Sequence, residues 1–274
     1  MVVHLLGRAY AASQACLKTT LPKERHPSEL AVLTAVEAFG PASQRVLGER
    51  LAINRTVMVQ LVDGLEREGL VVRNRDPQDR RSYALVLSDK GRAELKRLDT
   101  AADAHTACLT HNLTASQRRR LNRSLSALLA SPAAGLTDLP PKLTERTGFL
   151  VARAYFTLRD LGTQALAPLG IEPRHVAALA LLDDLGPVSQ QRLAQELGVS
   201  GTIVVQLADH LEAEGLVERR RDPDDRRVYR LTLTPGGTEA LAESRPILDQ
   251  ATVPTDLAEL LVVLLGPEQR KRGS

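Results

Sequence analysis

A block of this chain occurs twice. Residues 40–91 and 186–237 align without a gap at an offset of 146, and 28 of the 52 positions are identical. Gly40-Pro41 returns as Gly186-Pro187, Glu68-Gly69-Leu70-Val71 as Glu214-Gly215-Leu216-Val217, and Asp76-Pro77-Gln78-Asp79-Arg80-Arg81 as Asp222-Pro223-Asp224-Asp225-Arg226-Arg227. Arg8-Ala9-Tyr10 returns as Arg153-Ala154-Tyr155 at offset 145, so the likeness extends into the flanking segment with one residue inserted. Unrelated segments of similar composition do not share so many ordered positions. Solenoids stack three or more short units; two copies of this length imply two homologous domains. Ser131-Pro132-Ala133-Ala134-Gly135 and Pro140-Pro141 bracket a stretch without helical periodicity, the chemistry of a semi-stiff linker. The boundary is placed near residue 140, giving domains 1–140 and 141–274.

Composition narrows what each copy can be. Of 274 residues, 43% are apolar and 25% charged, which excludes wholesale disorder. Aromatics are only 3% and Trp is absent, so the core is expected to be Leu, Val, Ala and Ile in helices packed on helices. No apolar run approaches the roughly 18 residues that span a bilayer. The start, Met1-Val2-Val3-His4, lacks a basic segment and a cleavage signature, so no export signal is expected. Two cysteines, Cys16 and Cys108, make no disulfide framework, and a reducing cytoplasm is the expected setting. The net charge of +3 is unevenly distributed. Residues 1–140 hold 20 Lys/Arg against 14 Asp/Glu, and residues 141–274 hold 16 against 19, so a polyanion-binding surface should be stronger in the first copy.

The periodicity of each copy begins as helical. Helices are predicted over 3–20 and 147–167, 28–39 and 172–185, 43–51 and 189–197, and 54–68 and 200–214. Ser43, Ser189, Asn54 and Ser200 are suited to N-caps, and Gly69 and Gly215 to the residue just past a helix end. The period then changes to two. Residues 70–75 and 83–87, and 216–221 and 228–233, read as strands of a hairpin with arginines at both shoulders. Helices resume at Ser88-Asp89 and Thr234-Pro235. The fold class predicted is mainly α with small β-hairpins: two tandem winged helix-turn-helix domains. In this arrangement the second helix of the pair is a rod that fits the major groove, and the hairpin is a finger for a neighbouring minor groove, whose negative potential attracts guanidinium.

The sequence resembles the MarR-type regulators (multiple antibiotic resistance regulators). The likeness rests on Gln190-Gln191-Arg192-Leu193-Ala194-Gln195-Glu196-Leu197-Gly198-Val199, on Leu65-Glu66-Arg67-Glu68-Gly69-Leu70-Val71, and on the wing pattern Arg-Asp-Pro-x-Asp-Arg-Arg followed by Leu-x-Leu-Ser/Thr and Gly. It implies a bacterial, cytoplasmic, non-enzymatic regulator, a repressor of transcription that binds double-stranded DNA. Family members are usually homodimers whose first and last helices interlock over a pseudo-palindromic operator. This chain carries both copies, which implies a monomeric chain acting as an intramolecular pseudo-dimer, with its recognition helices about one DNA turn, roughly 34 Å, apart. Fusion holds the second half at about millimolar effective concentration.

Under this resemblance Arg81 and Arg227 match the wing arginine that enters the minor groove; otherwise they pair with Asp79 or Asp225 and shape the wing. Arg73, Arg75, Arg80, Arg219, Arg220, Arg221 and Arg226 are phosphate candidates, or else line solvated strand edges. On the recognition helices the candidates are Asn54, Arg55, Thr56, Gln60, Ser200, Thr202 and Gln206, or alternatively these form a polar helix face. Gln suits adenine where the arginine common at that position suits guanine. Met58 and Val204 either touch a thymine methyl or pack. The helix at 200–214 has no Lys or Arg and carries Asp209, Glu212 and Glu214, so unequal half-sites are expected. The same acidity supports the alternative, a protein-interaction module that keeps the fold without binding DNA.

Sensors of the family's oxidant branch carry a reactive cysteine near the start of the first helix, here nearer His4, so Cys16 and Cys108 read as small packing residues. The six histidines show no paired metal spacing, and neither a metal nor a cofactor is predicted. Family members often bind a small aromatic or lipophilic effector. Tyr10, His26, Tyr155 and His175 fall in segments that would line such a site, with ordinary packing the preferred reading.

Overall fold

The computed structural model describes residues 2–75, 83–131, 134, 136, 138–221, 229–249 and 253–266. In the first copy the order is α1 (Val2–Thr20), α2 (Pro27–Phe39), β1 (Ala42–Ser43), α3 (Gln44–Leu51), α4 (Arg55–Arg67), β2 (Val71–Arg75), β3 (Tyr83–Leu87), α5 (Asp89–Leu109) and α6 (Ala115–Leu129). The second copy runs α7 (Pro141–Thr144), α8 (Thr147–Leu166), a 3-10 turn (Ala167–Leu169), α9 (Pro173–Leu185), β4 (Val188–Ser189), α10 (Gln190–Leu197) and α11 (Gly201–Ala213). It continues through β5 (Val217–Arg221), β6 (Tyr229–Leu233), α12 (Pro235–Asp249) and α13 (Leu257–Leu265).

Among the described residues the predicted helices form and the predicted strands pair, for the expected reasons; Val228 and the hairpin connections at 76–82 and 222–228 lie outside the described residues. Ser43, Asn54, Ser189 and Ser200 each accept a hydrogen bond from the backbone N–H three residues on. Gly69 and Gly215 hold φ of 72° and 69°, a region where glycine carries no Cβ penalty. Two kinds of element are present beyond the predicted ones. The two-residue strands β1 and β4 add an edge to each hairpin, giving antiparallel sheets in the order β1-β3-β2 and β4-β6-β5. The short helix α7 follows immediately on the predicted linker.

The chain forms two compact units, and neither is one continuous stretch. One joins Met1–Arg8 to Phe156–Thr252; the other joins Ala9–Tyr155 to Val253–Ser274. The second of these holds the first copy's winged core: Leu33, Leu47, Leu51, Met58, Val62, Leu65, Leu70 and Leu85 are buried together, with Leu143 of α7 added to them. The other has the matching core of Leu179, Leu182, Leu193, Leu197, Val204, Leu207, Leu211 and Leu231. With Trp absent and few rings, these are aliphatic cores, as composition requires.

The expectation for the cysteines is corrected. Cys16 of α1 and Cys108 of α5, 92 residues apart in sequence, are disulfide-bonded, with Cα atoms 5.9 Å apart. Nothing in the spacing reports this, because two helix faces distant in sequence bring them together. Among the described residues no single helix is long and apolar enough to cross a membrane, and no group of three His, Cys, Asp or Glu could hold a metal ion.

Candidate nucleic-acid interface

In each copy a helix, a tight turn and a second helix lead directly into the hairpin. The second helix is amphipathic in the ordinary 3.6-residue way. On α4, Met58, Val62 and Leu65 are buried; on α11, Val204, Leu207, Ala208 and Leu211 are. Of the two readings open for Met58 and Val204, burial favours packing over the thymine-methyl contact: 1% and 0% of their surface is exposed, and they belong to the core. They lie on the stripe that anchors the helix.

The outward face is shared between the copies. Arg55, Thr56 and Gln60 are exposed on α4, and Thr202 and Gln206 on α11. Asn54 and Ser200 are exposed at the helix starts, where their side-chain oxygens accept from the backbone N–H of Val57 at 2.9 Å and Ile203 at 3.4 Å. Between these polar positions the structure places four exposed apolar residues that are not among the sequence candidates: Val57, Val59, Ile203 and Val205. The signal was present, since none of the four lies on the buried stripe.

Behind the outward face is a latch, also present twice. Arg73 of β2 reaches back to the helix pair, where its guanidinium bonds Glu66 and, at 2.5 Å, Asp63 of α4, and Gln44 of α3 at 3.3 Å. Arg219 of β5 bonds Glu212 and, at 2.5 Å, Asp209 of α11. Gln190, with its amide oxygen turned toward that guanidinium, stands 3.1 Å away. Every member recurs at the 146-residue offset. The acids Asp209 and Glu212 are thus partners of a wing arginine, matched by Asp63 and Glu66 in the first copy. Both arginines are held against the recognition helix.

The remaining wing residues differ in their surroundings. Arg75 is exposed opposite Tyr83 at the mouth of the first hairpin. Arg221 faces Tyr229 in the second, its guanidinium 5.9 Å from the ring centroid, and Arg220 pairs with Glu218 at 2.5 Å. Arg80, Arg81, Arg226 and Arg227 lie outside the described residues.

The four effector candidates are divided between the two compact units. Tyr10 and Tyr155 stack in one compact unit, with ring centroids 5.3 Å apart. His26 caps α2 in that unit: its Nδ1 accepts from the Ser28 N–H at 3.2 Å. His175 belongs to the other unit, where it is buried and stacked on His210 at 4.4 Å.

Comparison with known proteins agrees with this anatomy. A model of the MarR family matches residues 26–82 and 169–228, once in each copy. The helix-turn-helix-type transcriptional regulator TtmR of Methylorubrum extorquens (strain PA1) is 32% identical over 139 residues, covering 50% of this chain and 67% of TtmR. An uncharacterized regulator of the same type, YkoM of Bacillus subtilis (strain 168), is 37% identical over 73 residues, 27% of this chain. The match spans 47%, or about half, of YkoM's own length. Among solved structures, the transcriptional repressor CouR bound to a 23-mer DNA duplex aligns with 31% identity and a TM-score of 0.39, over 40% of this chain and 78% of that one. With the family pattern matched in both halves and TtmR related over two thirds of its length, the chain belongs to the MarR family of transcriptional regulators.

Proposed function

We propose that the protein is a sequence-specific double-stranded DNA-binding regulator, a repressor, whose domains 1–140 and 141–274 act together as a pseudo-dimer. The observation that carries this reading is the duplicated interface: cap, exposed Thr and Gln, and the arginine latch recur at one offset on both recognition helices. Residues 54–68 and 200–214 enter successive major grooves, with Arg75, Arg80, Arg81, Arg221, Arg226 and Arg227 of the wings at phosphates and minor grooves. Arg73 and Arg219 position the helix against the wing. The composition of the compact units supports the pseudo-dimer, since each winged core shares a unit with terminal helix segments of the other copy. Tyr10 and Tyr155, one position in two repeats, meet ring to ring. A small aromatic or lipophilic effector binding this chain would act by favouring one spacing of the helices over another. The pairing of Asp209 and Glu212 with Arg219 removes the main ground for an interaction module that does not bind DNA.

The test is selection of bound duplexes from a random pool by the full chain, followed by footprinting and a salt titration. Two protected half-sites about 10 bp apart and a steep loss of affinity with salt are expected. Weak, sequence-independent binding would overturn the reading.

A further inference from the structure

We propose that Val57 and Val59 of α4, with Ile203 and Val205 of α11, read thymine 5-methyl groups, so that both half-sites share one A·T core and differ at the base pair met by Arg55. The inference rests on the DNA-binding reading above.

Exposure is the first observation. Val57 and Val59 are 39% and 38% exposed, and Ile203 and Val205 45% and 43%. At about 100° per residue, Thr56 and Gln60 point directly away from the buried stripe, and the two apolar residues flank them on either side. Helix propensity does not select β-branched residues for an open surface. Nor do the four form a protein-docking face, because the polar stripe divides each pair. A helix that enters a groove by its N-terminal end presents both flanks of its first turns to base edges. The apolar group on those edges is the thymine methyl, and the bidentate partner of Gln is adenine N6 and N7. A glutamine flanked by β-branched residues therefore suits consecutive A·T pairs, and the constellation is present on both helices.

The second observation is the difference between the faces. Thr56, Val57, Val59 and Gln60 correspond to Thr202, Ile203, Val205 and Gln206, whereas exposed Arg55 corresponds to Gly201. An arginine there reaches guanine O6 and N7; glycine reaches nothing. A Cβ built on Gly201 meets no atom within 4 Å, so an arginine can be installed without moving the fold.

The experiment uses the full chain and a duplex pool randomised over about 30 bp, followed by the enriched duplex with deoxyuridine in place of its core thymines. The expected enriched site has the same A·T core in both halves and a G·C pair in one. Each methyl removed lowers affinity about four-fold, and the double variants V57A/V59A and I203A/V205A lose that sensitivity in their own half-site. G201R should recruit the G·C pair to the second half, and R55G should erase it from the first. Circular dichroism confirms that these exposed substitutions leave the fold intact. Enriched halves with unrelated cores, or deoxyuridine duplexes that bind as well as thymine ones, would overturn the inference while leaving the regulator standing. A pool that yields no enriched sequence would overturn both.

Discussion

Ala52 holds a left-handed conformation, φ 46°, at the C-cap of α3, and its counterpart in the second copy is Gly198 at φ 65°. The β-carbon at Ala52 carries a penalty of about 1–2 kcal/mol in that region, against about 0.4–1 kcal/mol of unfolded-chain entropy that alanine saves over glycine. Ala52→Gly is therefore expected to stabilise the first copy by about 0.5–1 kcal/mol, read as a raised midpoint in urea; a lowered midpoint would contradict the assignment. The caps of α2 and α9 use one residue pair in opposite order. His26 precedes Glu29, whereas Glu172 precedes His175, whose Nδ1 accepts from the Glu172 N–H at 3.1 Å. The reversal buries His175, and burial, with His210 and Arg174 adding like charge, pushes its pKa from 6.5 down to about 4. The fold thus favours the neutral ring. Its contribution is complete above pH 6.5 and is lost as the pH falls from there towards 4. Burial also lowers the pKa of His105, against the hydrogen bond its Nε2 donates to the Ser13 backbone carbonyl. Thermal melts of His175→Gln should depend less steeply on pH between 6.5 and 4 than those of the parent chain, and unchanged steepness would discount His175.

At the scale of elements, the junction between wing and following helix shows why the family pattern ends in Ser/Thr and Gly. Ser88 Oγ donates to Gly69 O at 2.6 Å and accepts from the Gly91 N–H at 2.9 Å; Thr234 does the same with Gly215 O at 2.6 Å and the Gly237 N–H at 3.0 Å. A Cβ at Gly91 would lie 1.9 Å from Leu70 O, and one at Gly237 2.0 Å from Leu216 O, both backbone atoms. Gly91→Ala and Gly237→Ala should each destabilise by more than about 2 kcal/mol, since the helix must back away from the strand. Near-neutral denaturation midpoints would contradict that. Caps, helix ends and hairpins were legible in the sequence because each is specified within a few residues: Asn54 bonds only as far as Val57. The latch was not legible, because Arg73 meets Asp63 and Glu66 only once the strand has folded back along the helix. Met58 against Val57 was decidable from the 58-62-65 stripe, whereas the edge strands β1 and β4 are too short to carry any period. The wing arginines Arg80, Arg81, Arg226 and Arg227 stand on sequence alone.

At the scale of the whole molecule, the repeat boundary and the boundaries of compactness do not coincide, and the consequence can be tested. Helix α13 comes from the end of the second repeat yet packs on α6 in the unit that holds the first repeat's winged core. Leu257, Leu260, Leu261 and Leu264 are all buried. Asp256 accepts from Ser124 Oγ at 2.7 Å and pairs with Arg120 at 3.1 Å, and Asn112 Nδ2 donates to Leu264 O at 3.2 Å. Burying a leucine contributes about 1.5–3 kcal/mol, so loss of four strips several kcal/mol from the face they cover. Ending the chain before Val253 should therefore lower hydrogen-exchange protection in α5 and α6, more than 120 residues upstream, and leave α9, α10, α11 and the β5–β6 hairpin protected. If protection were lost from the second repeat's own winged core instead, compactness would follow sequence order, and the exchange of terminal segments that supports the pseudo-dimer would be wrong.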